Sequence, residues 1–288
     1  MKMIRSVAGM SEVDSSKTLR PQMPSAKSAS LADTILESPA ILTADDRKTL
    51  GEVSAHRRAV SAGAEWMRQD ERADHIYFME EGWACQFRTL RDGRRQILRV
   101  LPPGDVCNLD SLQTKNAPFG IKALTPVSTL SVARQHLSAL CHGSPGIAYS
   151  VIELALCENA MLNQWATCLG RCSAPERLAH LLCELAVRLG HDAGCEYASF
   201  DLPLTQEQMA DVLGLTAVHI NRMMQQFRRQ GLLHTEGRTI TLENMGALKN
   251  MAEFDPAYLA RAKQQVGNTR IHNSNGLQPD PTSVPSVL

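Results

Sequence analysis

The sequence predicts an α+β chain in three parts. Residues 31–144 form an antiparallel β-roll, residues 145–172 one long helix, and residues 173–262 a compact helical domain closed by a small hairpin. Three observations carry this. From Val53 to about Leu137, short apolar runs alternate with tight-turn residues, the texture of a roll or sandwich. From Pro145 to about Gly170 one helical periodicity is sustained. From Leu204 to Leu233, two short amphipathic patterns flank Gly214.

At 288 residues the chain has room for about two domains. Its 30 basic and 30 acidic residues cancel. That excludes a uniformly basic nucleic-acid coat protein, while leaving room for one positive face. No run of about 18 apolar residues predicts a membrane helix, and the N-terminus lacks the apolar core of a secretory signal. Eight cysteines with no export signal predict reduced thiols and a cytoplasmic protein. Residues 1–30, rich in Ser, Lys and Pro, read as a disordered arm, and residues 263–288 as a disordered tail.

Each element follows in order. A polar-rich helical stretch runs from Leu31 to Leu50, with Thr43 as a cap. In the β region, the runs His75–Met79 and Ala84–Leu90 flank a turn at Glu81-Gly82. Asp92-Gly93 forms a hairpin turn in which both residues can take positive φ. Gln96–Leu101 ends at Pro102-Pro103-Gly104, and "FGIKAL" and "STLSVA" supply later strands. No helix of βαβ type interrupts them, which argues against an enzyme fold of that class.

In the long helix, Ile147, Val151, Leu154, Glu158, Met161, Trp165, Cys168 and Cys172 are spaced alternately by four and three. This is the pattern of a coiled-coil seam, broken only in polarity by Glu158. A dimer seam through Ile147, Val151, Leu154, Met161, Trp165 and Cys168 is therefore expected. The same pattern also fits a helix packed on its own β-domain. Cys168 and Cys172 suit either a redox pair reaching a second copy or two small buried hydrophobes. Ser173, with Pro175 and Glu176 behind it, starts a new helix that stops at Gly190.

The stretch from Leu204 to Leu233 carries the chemistry. Thr205 and Gln208 form a capping box, Met209, Val212 and Leu213 share one face, and Ala210 is small where a second helix crosses. Gly214 permits a tight reversal, and Thr216 caps the second helix. Ile220, Met223, Met224 and Phe227 form its apolar stripe. Small, glycine and β-branched residues at Ala210, Gly214 and Ile220 have the spacing of a helix-turn-helix. The outward face is then Val218, His219, Asn221, Arg222, Gln225 and Arg229. Arginine can take guanine O6 and N7 together, and Asn or Gln can pair with adenine. The free N–H groups beside Thr216 suit a phosphate. After Gly231, a hairpin with Glu236-Gly237 at its tip makes a wing carrying Arg238. The whole is a winged helix-turn-helix for double-stranded DNA.

A β-roll, a long helix and a winged helix-turn-helix together resemble the Crp–Fnr family of bacterial transcription regulators. "ADHIYFMEEGW", "DGRRQILRVLPPGD" and "LTQEQMADVLGLTAVHINRMMQQFRRQGLL" carry the likeness, which spans roughly Leu31 to Tyr258. It implies a homodimer on a palindromic site, with RNA polymerase as a partner. The family's guanine-reading arginine falls on Arg222 and its phosphate-binding hydroxyl on Thr216. Its glutamate, four residues before the arginine, falls on Val218, which implies a different half-site. The pair that holds a cyclic nucleotide's ribose falls on Asn108-Leu109, and "NAPFGIKAL" has nothing like the phosphate-holding Arg-Ser pair. Cyclic-nucleotide dependence is therefore not expected, and a cyclic-nucleotide-responsive or redox-responsive regulatory module is the alternative. No cysteine precedes Cys85, unlike the iron–sulfur members of the family, and no residue marks a haem ligand. No nucleophile elbow, phosphate loop or HExxH pair is present, so neither a cofactor nor an enzymatic activity is expected. His191 and Cys195 are too few for a zinc site.

Overall fold

A computed structural model describes residues 42–259, apart from residue 54. The predicted arm, most of the stretch 31–50 before its cap, and the predicted tail lie outside these residues. Helix α1 (Ala44–Gly51) starts at Thr43, whose hydroxyl accepts the Asp46 N–H at 3.1 Å while Asp46 accepts the Thr43 N–H at 2.9 Å.

Two antiparallel sheets form the roll. One has the order β1 (His56–Val60), β7 (Val127–Ala133), β3 (His75–Glu81); the other has the order β2 (Glu65–Met67), β6 (Gly120–Ala123), β4 (Ala84–Thr89), β5 (Arg95–Leu101). The β3–β4 turn needs glycine. Gly82 has φ +79°, and a Cβ there would lie 2.1 Å from the Pro126 carbonyl oxygen. The β4–β5 turn differs from expectation. Only Gly93 takes positive φ, at +84°. Asp92 instead stays in ordinary backbone space and accepts the Arg94 N–H at 3.0 Å, so one glycine suffices for the reversal.

A helix that no sequence pattern predicted, α2 (Arg134–Gly143), follows β7 directly. Helix α3 then runs from Pro145 to Arg171, capped by the Ser144 hydroxyl, which accepts the Ile147 N–H at 3.1 Å. Its buried stripe corrects the expected dimer seam. Ile147, Val151 and Leu154 are buried with Ile76, Phe78, Leu130, Val132 and Leu137 of the same chain. Trp165 and Cys168 are buried in the core of the C-terminal domain, and Met161 is half-buried. The heptad is real, but its first half lies on the β-roll and its second half on the next helix. The outward stripe is a different one: Tyr149, Ile152 and Leu156, spaced by three and four, are 53%, 52% and 61% exposed, while Leu162, 45% exposed, lies about a third of a turn away.

Helix α4 (Ala174–Arg188) begins with a box in which the Ser173 N–H donates to Glu176 Oε2 at 2.7 Å. It is the buried spine of the C-terminal domain, with Leu178, Leu181, Leu182 and Leu185 inside. Around it lie β8 (Ala198–Asp201), α5 (Gln206–Leu213), α6 (Ala217–Arg229), β9 (Leu233–Glu236), β10 (Thr239–Leu242) and α7 (Met245–Ala252). The wing is a three-stranded sheet, β8-β10-β9, because β8 adds to the expected hairpin. No helix among the described residues is long and apolar enough to cross a membrane.

Candidate nucleic-acid interface

The α5–α6 pair is built by local chemistry. Thr205 Oγ1 accepts the Gln208 N–H at 3.1 Å, and Gln208 Oε1 accepts the Thr205 N–H at 2.8 Å. Gly214 closes α5 at φ +64°, and the Leu215 N–H returns to the Ala210 carbonyl at 3.1 Å, a left-handed stop that needs no side chain. Thr216 Oγ1 then accepts the His219 N–H at 3.3 Å. Ile220, Met223, Met224 and Phe227 are buried as the spacing predicts. Their burial forces the opposite face outward.

On that face Val218 is 77% exposed, and His219, Arg222, Gln225 and Arg229 are exposed beside it. Thr205 is exposed and Thr216 lies at the surface, each at its helix start. Helix α6 has three arginines and no acid. Asn221 is different. It is half-buried, donates through Nδ2 to Gln206 Oε1 at 3.2 Å and accepts from Gln225 Nε2 at 2.7 Å. It ties α6 to α5, and it can present an edge to a base only by exchanging these partners. Arg238 is exposed in the wing turn next to Gly237, which has φ +59°. Arg228 fixes the wing by donating from Nε to Thr235 Oγ1 at 3.1 Å.

A buried polar chain orients this domain. Arg99 of β5 pairs with Glu158 of α3 at 2.8 Å and with Asp105 at 3.4 Å. Asp105 also pairs with Arg188 of α4, which pairs with Glu184 at 3.1 Å. Glu184 Oε2 accepts from Trp165 Nε1 and from the Tyr258 hydroxyl, both at 2.9 Å. Burial pushes the Glu158 carboxyl up, against the pull of Arg99. Burial also acts to raise Glu184, but the hydrogen bond from His180, the Arg188 charge and the Tyr258 hydroxyl outweigh it and hold that carboxyl low. β-roll, long helix and DNA-domain spine thus share one ionic chain. No motif in the sequence predicts it. Its only trace there is Glu158, the polar residue interrupting an apolar stripe.

The roll interior also departs from a ligand-ready pocket. Asn108 is fully buried. It donates to the His75 carbonyl at 2.8 Å and to Ser111 Oγ at 3.0 Å, and accepts the Tyr77 N–H at 2.9 Å. All eight cysteines are free thiols. Burial pushes Cys168 up to about 12, a thiol rather than a thiolate. Its side chain lies among core residues of its own chain, so it does not face a second copy as a redox pair would require.

Two family models match the chain. One, described as a Crp-like helix-turn-helix domain, matches residues 176–251, and the other, a cyclic nucleotide-binding domain, matches residues 57–144. The chain belongs to the Crp–Fnr family. Among its relatives is the transcriptional activator protein FnrL of Cereibacter sphaeroides, 29% identical over 200 residues, covering 67% of this chain and 78% of that protein. The fumarate and nitrate reduction regulatory protein of Escherichia coli is 23% identical, covering 74% of this chain and 85% of its own. The solved structure of FixK2 from Bradyrhizobium japonicum superposes with a TM-score of 0.64 at 28% identity, covering 69% of this chain and 98% of that one. Crp–Fnr members of this kind are transcription regulators with a helix-turn-helix, and this chain carries both parts of that architecture.

Proposed function

We propose that this Crp–Fnr regulator acts as a homodimer that reads a palindromic DNA site without a cyclic nucleotide. One observation carries the reading: α6 has its entire apolar stripe buried and turns Val218, His219, Arg222, Gln225 and Arg229 to the opposite side. A helix of that polarity, entered by two capped N-termini, fits the major groove. Arg222 is the base reader, because its fork matches guanine. Asn221 and Gln225 supply a second contact once their mutual bond opens. Thr205, Thr216 and Arg238 take phosphates.

The second copy is assigned to the outward stripe of α3, through Tyr149, Ile152 and Leu156. Three large apolar side chains exposed along one helix face are unusual for a lone chain, and two-fold pairing would cover them. Independence from a cyclic nucleotide is supported by the roll interior, where Asn108 is spent on the chain's own backbone and Arg99 faces Glu158 and Asp105. An anion there would have to displace two carboxylates. Relatives named transcriptional activators make RNA polymerase the partner for the output.

Arg222→Ala tests the reading helix. Site-specific affinity should fall by about 1–3 kcal/mol, with relaxed choice at one base pair per half-site. A variant that keeps the parent's affinity and base preference would show that α6 does not read the groove.

A further inference from the structure

We propose that the tip of the β4–β5 hairpin is a second DNA-contacting surface, with Arg88, Arg91 and Arg94 taking backbone phosphates just outside the half-site. This rests on α6 being the reading helix. The chain is neutral overall, yet residues 88–95 hold four arginines and one acid. Every residue from Arg88 to Arg94 is exposed. Arg88 and Arg91 have no ion-pair partner among the described residues. Arg94 meets only Asp92, at 2.8 Å, in an exposed pair, which contributes little and exchanges readily for phosphate. Folding does not require this charge. The turn is made by backbone bonds, Leu90 N–H to the Arg94 carbonyl at 2.8 Å and Gly93 N–H to the Leu90 carbonyl at 2.9 Å.

Two clamps fix where the tip lies. Arg95 Nε and Nη2 donate to Asp211 Oδ2 at 2.9 and 2.8 Å, and Gln96 Nε2 donates to the Val212 carbonyl at 3.1 Å. Both acceptors belong to α5, so the hairpin is held to the DNA-binding domain. Between them lies a cleft of about 570 Å³, bordered by Thr89 and Gly93 on the hairpin and by Glu207 and Ala217 on the helices. Glu207 and Ala217 sit in the first turns of α5 and α6, next to Thr205 and Thr216, where phosphates are assigned. A DNA strand crossing those helix starts continues past the arginine tip. Glu65 and Glu207 outnumber Lys122 on the cleft wall, whose other two charges, Arg95 and Asp211, pair with each other, so phosphates pass along the rim, where the arginines are. An acidic protein would match the same charge, but the adjacency to the phosphate-facing helix starts favours DNA.

The test compares the full chain with the triple variant R88Q/R91Q/R94Q on two duplexes carrying the same selected palindrome. One duplex ends at the palindrome, and the other extends about ten base pairs further on each side. The parent is expected to bind the longer duplex about tenfold more tightly, with a steeper salt dependence. The variant should lose that difference, with its slope of log K against log salt flattened by about 0.9 for each phosphate it no longer neutralises. On the short duplex the two should bind alike. Equal affinities and equal slopes on the long duplex would overturn the proposal, and that is the outcome expected of a tip built for an acidic protein. R91Q alone, in the loop, serves should the triple variant unfold, with a smaller flattening. If the parent selects no palindrome, the assignment of α6 fails separately. The comparison then runs on random-sequence duplex, where a flatter slope supports the hairpin contact and an equal slope overturns it.

Discussion

Helices α3 and α6 both carry regular apolar spacing, and the spacing means different things in each. In α6 there is one apolar stripe, and Ile220, Met223, Met224 and Phe227 are all buried. The remaining face has no choice but to be outside. In α3 there are two stripes. One is buried in the chain through Ile147, Val151, Leu154, Trp165 and Cys168, and the other is exposed through Tyr149, Ile152 and Leu156. Periodicity identifies a face that wants covering. It does not identify the cover, and a helix lying between two bodies has more than one.

The largest effect should come from charging the two stripes of α3 separately. Leu154→Asp places a carboxylate in the roll's own core and should unfold that domain. Ile152→Asp with Leu156→Asp should leave each chain folded, split the dimer and reduce affinity for a palindrome about a hundredfold, since two tethered half-sites become one. Sedimentation with thermal melting separates the two. An outer-stripe variant that sediments as a dimer would place the seam elsewhere.

Next in size is the ionic chain between the domains. Arg99→Leu leaves Glu158 buried beside no cation and should cost about 3–5 kcal/mol. Adding Glu158→Leu should recover most of that loss, because the unpaired charge is gone. Urea unfolding of the two variants reads this, and an Arg99→Leu loss that the second change does not reverse would mean the arginine acts by packing alone.

The smallest effect is a pH dependence at the start of α1. Hydrogen bonds from the Ser144 and Thr43 hydroxyls and the Thr43 N–H hold the Asp46 carboxyl below its ordinary range. A carboxyl lowered by folding adds stability above its unfolded pKa of about 4, and that stability is lost as pH falls through the folded value. The stability gap between the parent and Asp46→Asn should therefore be full at neutral pH and close in acid. A gap that does not change between pH 7 and pH 3 would remove this role.

Much of the fold is legible in the sequence, and the reason is local. Thr205, Gln208, Gly214 and Thr216 act within a few residues, so spacing alone conveys the α5–α6 geometry. The turns at Gly82 and Gly93 are of the same kind. What escapes is long-range. Strand β8 pairs with β10 far along the chain, Ala198 opposite Leu242, and its run "ASFD", though it alternates, is only four residues long and too short to mark a strand by itself. The chain Arg99–Asp105–Arg188–Glu184 joins residues from distant parts of the sequence, and no spacing rule links them. Asn221 looks like a free base reader in the sequence because its place on the helix faces out. Its partner Gln206 lies fifteen residues away on the neighbouring helix.

The measurement that tests the central claim most directly is a DNA selection with purified protein, under reducing conditions and with no small molecule added. A two-fold symmetric sequence enriched from a random library, with half-sites about one helical turn apart, is the predicted result. A folded dimer that enriches no sequence would contradict a regulator that reads DNA unaided.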